Sequence, residues 1–183
     1  MKNILVLCTG NSCRSQLAEG YLKYFAGDKA NVYSAGVETH GVNPKAIATM
    51  QKDGIDISHH TSNNILEYTG IEFDYVITVC DNAKERCPYF PSNAQKFHYN
   101  FPDPAKATGT EQEIEAAFDS VRNLIKDYCA DFVKNKLIGV YHYKCILYSY
   151  AMNIASAEYY FDAMKKAGYF PENKVSWRHC HRW

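Results

Sequence analysis

The sequence has no excess of either charge, because 20 lysines and arginines balance 20 aspartates and glutamates. Because the chain has no excess positive charge to attract nucleic acid or an anionic lipid surface, we expect neither nucleic acid nor a membrane as a partner. The chain also lacks an apolar run long enough to span a membrane, and the apolar stretch at residues 4–7 is too short for a signal sequence. We therefore predict a cytoplasmic protein.

Cysteine pairs with metal-site spacing are also missing. The seven cysteines include no CxxC pair, which argues against a structural zinc site. Their odd number excludes complete internal disulfide pairing, and in a cytoplasmic protein so many cysteines favour redox chemistry or metal binding. The terminal run His179-Cys180-His181 lacks a fourth placed ligand, so we interpret it as incidental.

The most informative segment is Cys8-Thr9-Gly10-Asn11-Ser12-Cys13-Arg14-Ser15, directly after the apolar residues 4–7. The pattern predicts a strand, a tight loop and the start of a helix. Backbone N–H groups of such a loop, together with the positive end of the helix, form an oxyanion site. Arg14 adds a planar donor for two oxygens, and the same surroundings favour a thiolate at Cys8. The loop therefore predicts a nucleophilic sulfur aimed at a phosphate-like anion.

The remaining loop residues have supporting roles in this prediction. We expect Ser15 to donate a hydrogen bond to the thiolate and Asn11 to brace the loop. The alternative is a buried cysteine at a strand end followed by a polar turn. That alternative does not explain a cysteine, an arginine and a hydroxyl at these spacings. The oxyanion-loop residues are Thr9, Gly10, Asn11, Ser12, Cys13 and Ser15.

Alternating strand and helix patterns predict an α/β fold. It should be a three-layer αβα arrangement with a central four-stranded parallel sheet. Ligands in such folds bind at the carboxyl ends of the strands, where Cys8, Cys80 and the loop after Tyr99 should converge. The predicted strands are residues 2–8, 31–36, 75–79 and 96–99, and the predicted helices are residues 14–25, 44–54 and 110–135.

Composition changes near Leu137. We therefore predict a domain over residues 1–136 and a C-terminal extension of unknown role over residues 137–183. The extension has a strand-like pattern at 141–148 and a helical one at 149–167. Its aromatic face is expected to cover the domain or a second subunit, and the oligomeric state stays open.

Two further cysteines suggest a redox role. A buried strand delivers Cys80 to the same sheet edge, and Cys87 follows seven residues later. If this segment is helical, the two sulfurs are about 10 Å apart along the axis, beyond the roughly 7 Å Cα limit of a disulfide. The segment must then unwind to join them; the alternative is two unrelated thiols. Thiols cannot reduce phosphate but can reduce arsenate, and thiol–disulfide exchange would carry the oxidation outward.

A carboxylate between two prolines, Pro102-Asp103-Pro104, follows the fourth predicted strand. The prolines restrict the backbone and would hold Asp103 over the anion pocket as a general acid. Asp-Pro is also a common turn element. The presence of Cys8 and Arg14 favours the general acid.

From about residue 2 to residue 135 the chain resembles the thioredoxin-coupled arsenate reductases, which share the fold of low-molecular-weight protein tyrosine phosphatases. The motifs that carry the resemblance are the loop 8–16 and residues 18–20, 31–36, 39–46, 56–58, 60–62, 80, 87–88 and 103–104.

The resemblance implies a mechanism in which Cys8 attacks arsenate, Arg14 holds it and Asp103 assists loss of hydroxide. Cys80 would displace arsenite by forming a disulfide with Cys8. Cys87 would then attack Cys80, leaving a Cys80–Cys87 disulfide for thioredoxin, the electron donor. No tightly bound cofactor is implied, and phosphate or sulfate should compete for the pocket.

Some members of this family bind potassium near the loop. Asn11, Glu19 and Ser34 match that site, but Asn63 stands where an aspartate is expected, which argues against tight binding. Two other functions stay open: a tyrosine phosphatase without redox cycling, and a noncatalytic sensor of oxyanions or arsenicals.

Overall fold

The computed structural model describes residues 1–80 and 93–138. The chain divides into two compact units, Met1–Val133 and Lys134–Trp183. The described part of the second unit is a π-helical turn, Lys134–Ile138. The strand and helix predicted between 141 and 167 lie outside the described residues, and the predicted boundary at residue 136 stays a prediction.

Four parallel strands form one sheet in the order β2-β1-β3-β4. Parallel strands are buried on both faces, which explains the continuous apolar run of β1 and the complete burial of Ile4, Leu5 and Val6. The predicted four-stranded parallel sheet is confirmed. The strands are β1 (Lys2–Cys8), β2 (Ala30–Gly36), β3 (Tyr75–Thr78) and β4 (Gln95–His98).

Local capping explains where two of the helices begin. Asn43 caps one helix by accepting from the Lys45 N–H at 2.9 Å. The predicted capping box opens another: the Glu113 carboxylate accepts from the Thr110 N–H at 2.7 Å, and the Thr110 hydroxyl accepts from the Glu113 N–H at 3.3 Å. The helices are α1 (Arg14–Ala26), α2 (Pro44–Lys52) and α3 (Glu111–Val133).

The core lies on both faces of β1. Leu5 and Leu7 pack in a cluster with Ile65, Phe73 and Val76. Residues of alternate parity point to the opposite face, where α1 lies against β1 and β2 and α3 packs on α1. The αβα fold class predicted from the sequence is confirmed. Among the described residues no helix is long and apolar enough to cross a membrane.

Candidate active site

A cavity of about 550 Å³ opens at the carboxyl edge of the sheet. Cys8 ends β1 and Arg14 begins α1, so the strand–loop–helix unit lies where the sequence predicts it. Cys80 and Asp103 line the same cavity from the segments that follow β3 and β4. The structure therefore brings together four of the five predicted catalytic residues. The fifth, Cys87, lies outside the described residues.

Backbone N–H groups from outside the loop hold three of its carbonyl groups. The loop's own N–H groups are the donors expected for an anion. The backbone N–H groups of residues 38, 40 and 43 hold three carbonyls: Glu38 to Thr9 at 3.0 Å, His40 to Gly10 at 3.1 Å and Asn43 to Ser12 at 2.9 Å.

Asn11 braces the loop, as predicted. Its φ of 43° lies in the left-handed region, which is uncommon for a residue other than glycine. Its side-chain amide donates to Ser15 Oγ at 3.0 Å and to Ser34 Oγ at 2.7 Å. Its side-chain oxygen accepts from Gln16 Nε2 at 3.1 Å and from the Asn63 N–H at 2.8 Å. The Ser15 hydroxyl is thus an acceptor for Asn11, and its donation to Cys8 stays a prediction.

Gly36 is a functional position that the sequence reasoning missed. The sequence indicates only that this glycine ends a strand. A Cβ at Gly36 would lie 2.6 Å from the Thr9 carbonyl oxygen and 2.8 Å from the Asn11 nitrogen. Any side chain there would displace the anion loop. The need for glycine at position 36 cannot be predicted without the strand register that pairs Cys8 with Gly36.

His40 is a second missed position. It lines the cavity, and its Nδ1 would lie 2.6 Å from a Cβ at Gly10. Its Nε2 is 3.1 Å from a Glu38 carboxylate oxygen. A side chain at Gly10 would require the exposed His40 ring to shift, and nothing in the local sequence indicates this contact.

The Cys8 thiol faces the Cys80 thiol, with 3.6 Å between the sulfurs. Both side chains are buried, and the Thr9 hydroxyl lies 3.4 Å from the Cys80 sulfur. The hydrogen bond to Cys80 and burial raise the pKa of Cys8, whereas Arg14 and the Thr9 N–H act to lower it. Because the two thiols are in contact, they titrate as a pair that holds one negative charge more readily than two, and the thiolate expected at Cys8 stays a prediction.

Arg14 and Asp103 form an ion pair at the cavity wall. Arg14 Nη2 is 3.0 Å from Asp103 Oδ2, and Arg14 Nη1 donates to the Phe101 carbonyl at 3.0 Å. The other Asp103 oxygen accepts from the Ala105 N–H at 3.2 Å. These bonds fix both side chains beside the loop, where the guanidinium and the carboxyl group can reach one anion.

Cys13 lines the same cavity as a third thiol. Burial and the nearby Asp103 raise its pKa to about 12, against an opposing effect of Arg14. It is therefore a neutral thiol near pH 7, which suits a loop residue better than a nucleophile.

The residues matched to a potassium site do not fit a cation well. Ser34 Oγ donates to Glu19 at 2.5 Å, and Lys23 Nζ already pairs with the other oxygen of that carboxylate at 2.5 Å. The Asn63 amide points elsewhere and donates to Glu67 at 2.8 Å. Among residues 1–80 and 93–138 no group of three or more His, Cys, Asp or Glu side chains could hold a metal ion. We assign no step to a cation.

The parallel α/β sheet, the amide loop and the cysteine–arginine pair together define a protein with a phosphatase-type oxyanion loop. Residues 3–138 match the model of the low molecular weight phosphotyrosine protein phosphatases. The chain belongs to this family.

Its relatives include arsenate reductases. The chain is 52% identical over 124 residues to an arsenate reductase of Halalkalibacterium halodurans, covering 68% of this chain and 89% of that protein. It is similar to a solved structure of an arsenate reductase in the phosphate binding state, with 32% identity, a TM-score of 0.64, and coverage of 73% of this chain and 97% of that one. An arsenate reductase in oxidized state matches with 31% identity, the same TM-score of 0.64 and the same coverage of 73% and 97%. The resemblance to arsenate reductases of phosphatase-like fold is confirmed.

Proposed function

We propose that this protein is an arsenate reductase that converts arsenate to arsenite, with Cys8 as nucleophile and thioredoxin as electron donor. The observation that carries the proposal is the 3.6 Å contact between the Cys8 and Cys80 sulfurs inside the anion cavity. A phosphatase needs one thiol there; a reductase needs a second one within reach. The similarity to proteins named arsenate reductase supports the same activity.

In the first step arsenate enters the loop and meets the N–H groups and Arg14. The thiol pair gives one proton to the Asp103 carboxylate, the remaining proton stays on Cys80, and the Cys8 thiolate attacks arsenic. Asp103 supplies the proton with which hydroxide leaves as water. The Arg14–Asp103 distance of 3.0 Å supports this role, because the residue that binds the anion also orients the acid.

In the second step Cys80 attacks the Cys8 sulfur. The Cys8–arsenic bond breaks and its electron pair stays on arsenic. The Cys80 proton passes to an oxygen of the arsenite, which leaves as a disulfide forms between Cys8 and Cys80. The sulfurs must approach by about 1.5 Å from their 3.6 Å separation to reach a disulfide length of about 2.05 Å. That movement is small enough for side-chain rotation.

Regeneration needs a third thiol. We propose that Cys87 attacks Cys80, which frees the Cys8 thiol, and that thioredoxin reduces the resulting Cys80–Cys87 disulfide by exchange. We further propose that the reaction takes place in the cytoplasm, where thiols are kept reduced.

A slow hydrolysis of aryl phosphates is a second candidate activity. It is supported by the match to the phosphatase family, since the loop, the nucleophile and the acid are shared by both reactions. A phosphoryl group on Cys8 would be released by water and needs neither Cys80 nor Cys87.

One experiment tests the proposal and separates the two activities. Arsenate-dependent NADPH oxidation is measured with thioredoxin and thioredoxin reductase present, and aryl phosphate hydrolysis is measured in parallel. The parent should reduce arsenate, and Cys8→Ser should lose both activities because its hydroxyl stays protonated.

The two other cysteine variants identify their steps. Cys80→Ser should form no arsenite even in a single turnover, yet keep phosphate hydrolysis. Cys87→Ser should release one equivalent of arsenite and then stop as the Cys8–Cys80 disulfide, detected by mass spectrometry. Arsenate binding without any arsenite from the parent would instead indicate a sensor, and multiple turnovers by Cys80→Ser would refute the relay.

A further inference from the structure

The paired thiols at the floor of the cavity have the geometry of a chelating site. Their sulfurs are 3.6 Å apart, in contact but far from the roughly 2.05 Å of a disulfide. A soft centre bound to a thiolate at about 2.3 Å, as zinc is, would separate two such sulfurs by about 3.5 Å at a pyramidal angle near 100°. Little rearrangement is needed to place one soft atom between Cys8 and Cys80.

We propose that the reduced protein binds trivalent arsenicals through Cys8 and Cys80 together, so that it is inhibited by arsenite. The ligand class is a trivalent arsenic compound with exchangeable oxygens, such as arsenous acid or an aryl arsenoxide. This inference goes beyond the proposed function because it adds an inhibited state of the protein. It rests on the proposed function in one respect: arsenite is the product of this protein only if it reduces arsenate.

The chemistry is a condensation without electron transfer. Two As–S bonds form and two As–O bonds of arsenous acid break, and the two thiol protons leave with the two hydroxides as water. Phenylarsine oxide exchanges its single oxygen for the same two sulfurs and releases one water. Arsenic stays trivalent throughout, so no oxidant or reductant is needed.

The surroundings of the two sulfurs suit such a ligand. The cavity of about 550 Å³ leaves room for a third substituent on arsenic. The Thr9 hydroxyl lies 3.4 Å from the Cys80 sulfur and can stabilise charge on it. The bound arsenical would occupy the thiol that must attack arsenate, so arsenate and a trivalent arsenical should exclude each other.

Attachment of arsenic to two thiols predicts a much higher affinity than attachment to a single thiol. Once one As–S bond has formed, the second forms within the same molecule, and such linkage raises affinity by about 100-fold or more without any new contact. Each single-thiol variant should therefore lose about that factor in affinity. The Cys8–Cys80 disulfide has no thiol to offer and should not bind.

The test uses the full reduced chain and phenylarsine oxide as the probe. Native mass spectrometry should show one phenylarsenic group gained and two hydrogens lost, and a thiol titration should lose two thiols. Cys8→Ser and Cys80→Ser should each weaken binding by about 100-fold. Cys180→Ser is the matched control, because Cys180 lies outside the family match at residues 3–138, and it should bind as the parent does.

A measurement on the unmodified chain guards against variants that fold poorly. Phenylarsine oxide should protect Cys8 and Cys80 from alkylation by iodoacetamide, read by peptide mapping. Tight binding by Cys8→Ser or Cys80→Ser, or loss of binding in Cys180→Ser, would overturn the inference. Its failure is distinct from failure of the proposed function, because binding is measured without arsenate, thioredoxin or turnover.

Discussion

At Asn11 the backbone and the side chain contribute to stability in opposite directions. A left-handed conformation costs a residue with a Cβ about 1 kcal/mol, and the φ of 43° places Asn11 there. Its side chain is fully buried and offsets that cost through hydrogen bonds to Ser15, Ser34, Gln16 and the Asn63 backbone. Glycine and alanine at this position therefore separate the two effects.

Both Asn11→Gly and Asn11→Ala should destabilise the protein, because both remove the side-chain hydrogen bonds. Alanine also keeps the strain, so Asn11→Ala should be less stable than Asn11→Gly by about 1 kcal/mol. Urea unfolding measures the free energies. Equal stabilities would mean that the loop relaxes out of the left-handed geometry once the amide is removed.

Arg14→Lys tests the planar donor. A lysine has one point charge and cannot reach both Phe101 O and Asp103 as Arg14 does, at 3.0 Å each. Arsenate turnover should fall by at least about 100-fold, the usual cost of losing one oxyanion donor. Arg122→Lys is the matched control, since Arg122 binds Thr49 and Asp119 and does not line the cavity. A similar loss in both variants would point to folding rather than to anion binding.

Chemistry-bearing residues within one contiguous segment could be predicted from the sequence. The anion loop was recognisable because its cysteine and arginine follow a strand directly. The close packing of Gly36 against the loop backbone could not be predicted, and neither could the Cys8–Cys80 hydrogen bond. Both depend on which strands pair and in what register. The pKa of Cys8 cannot be judged from its own loop for the same reason, because Cys80, a partner 72 residues away, acts on it.

Among the elements, Asp53 links three helices. It follows α2, and its carboxylate accepts from Tyr21 of α1 and from Lys126 of α3, at 2.7 Å and 2.8 Å. The Lys126 hydrogen bond, followed by that of Tyr21, lowers the pKa of Asp53 below its ordinary value. A lowered carboxyl pKa stabilises the fold above the unfolded pKa of about 4, and this contribution is lost as the pH falls through the folded pKa.

Asp53→Asn should therefore cost about 1 kcal/mol at pH 7, a value kept small because Lys126 is 39% exposed. Below about pH 4 the cost should shrink, since the parent carboxylate becomes protonated and loses its advantage. Unfolding free energies of parent and variant between pH 7 and pH 3 measure the difference. Asp28→Asn, at a side chain 79% exposed, is the control and should show no such convergence. If the loss of unfolding free energy in Asp53→Asn does not change with pH, the charge of the Asp53 carboxylate is not its source.

The order of the sheet shows what element-level reasoning can and cannot reach. The caps at Asn43 and Thr110 are local, so two helix starts could be predicted within a residue. Parallel pairing followed from the alternation of strands and helices. The order β2-β1-β3-β4 did not follow, because it depends on packing between segments far apart in the chain.

For the whole molecule, the boundary of the family match matters most. The match ends at residue 138, and a stretch of 124 residues of this chain already covers 89% of the Halalkalibacterium halodurans arsenate reductase. The compact unit Met1–Val133 contains the loop, Cys80, Asp103 and the helices α1, α2 and α3. Relatives of that length support the expectation that the catalytic unit is complete without residues 139–183.

Removing residues 139–183 should therefore leave arsenate turnover per molecule unchanged. The physical reason is that the cavity-lining residues and the described core all belong to the first compact unit. The same coupled assay on full and truncated chains measures turnover, and sedimentation measures their size in solution. If the aromatic pattern of residues 148–163 covers a second subunit, sedimentation should show a lower oligomeric state for the truncated chain while turnover persists. Loss of turnover in a truncated chain with an unchanged circular dichroism spectrum would instead place part of the working site in the extension.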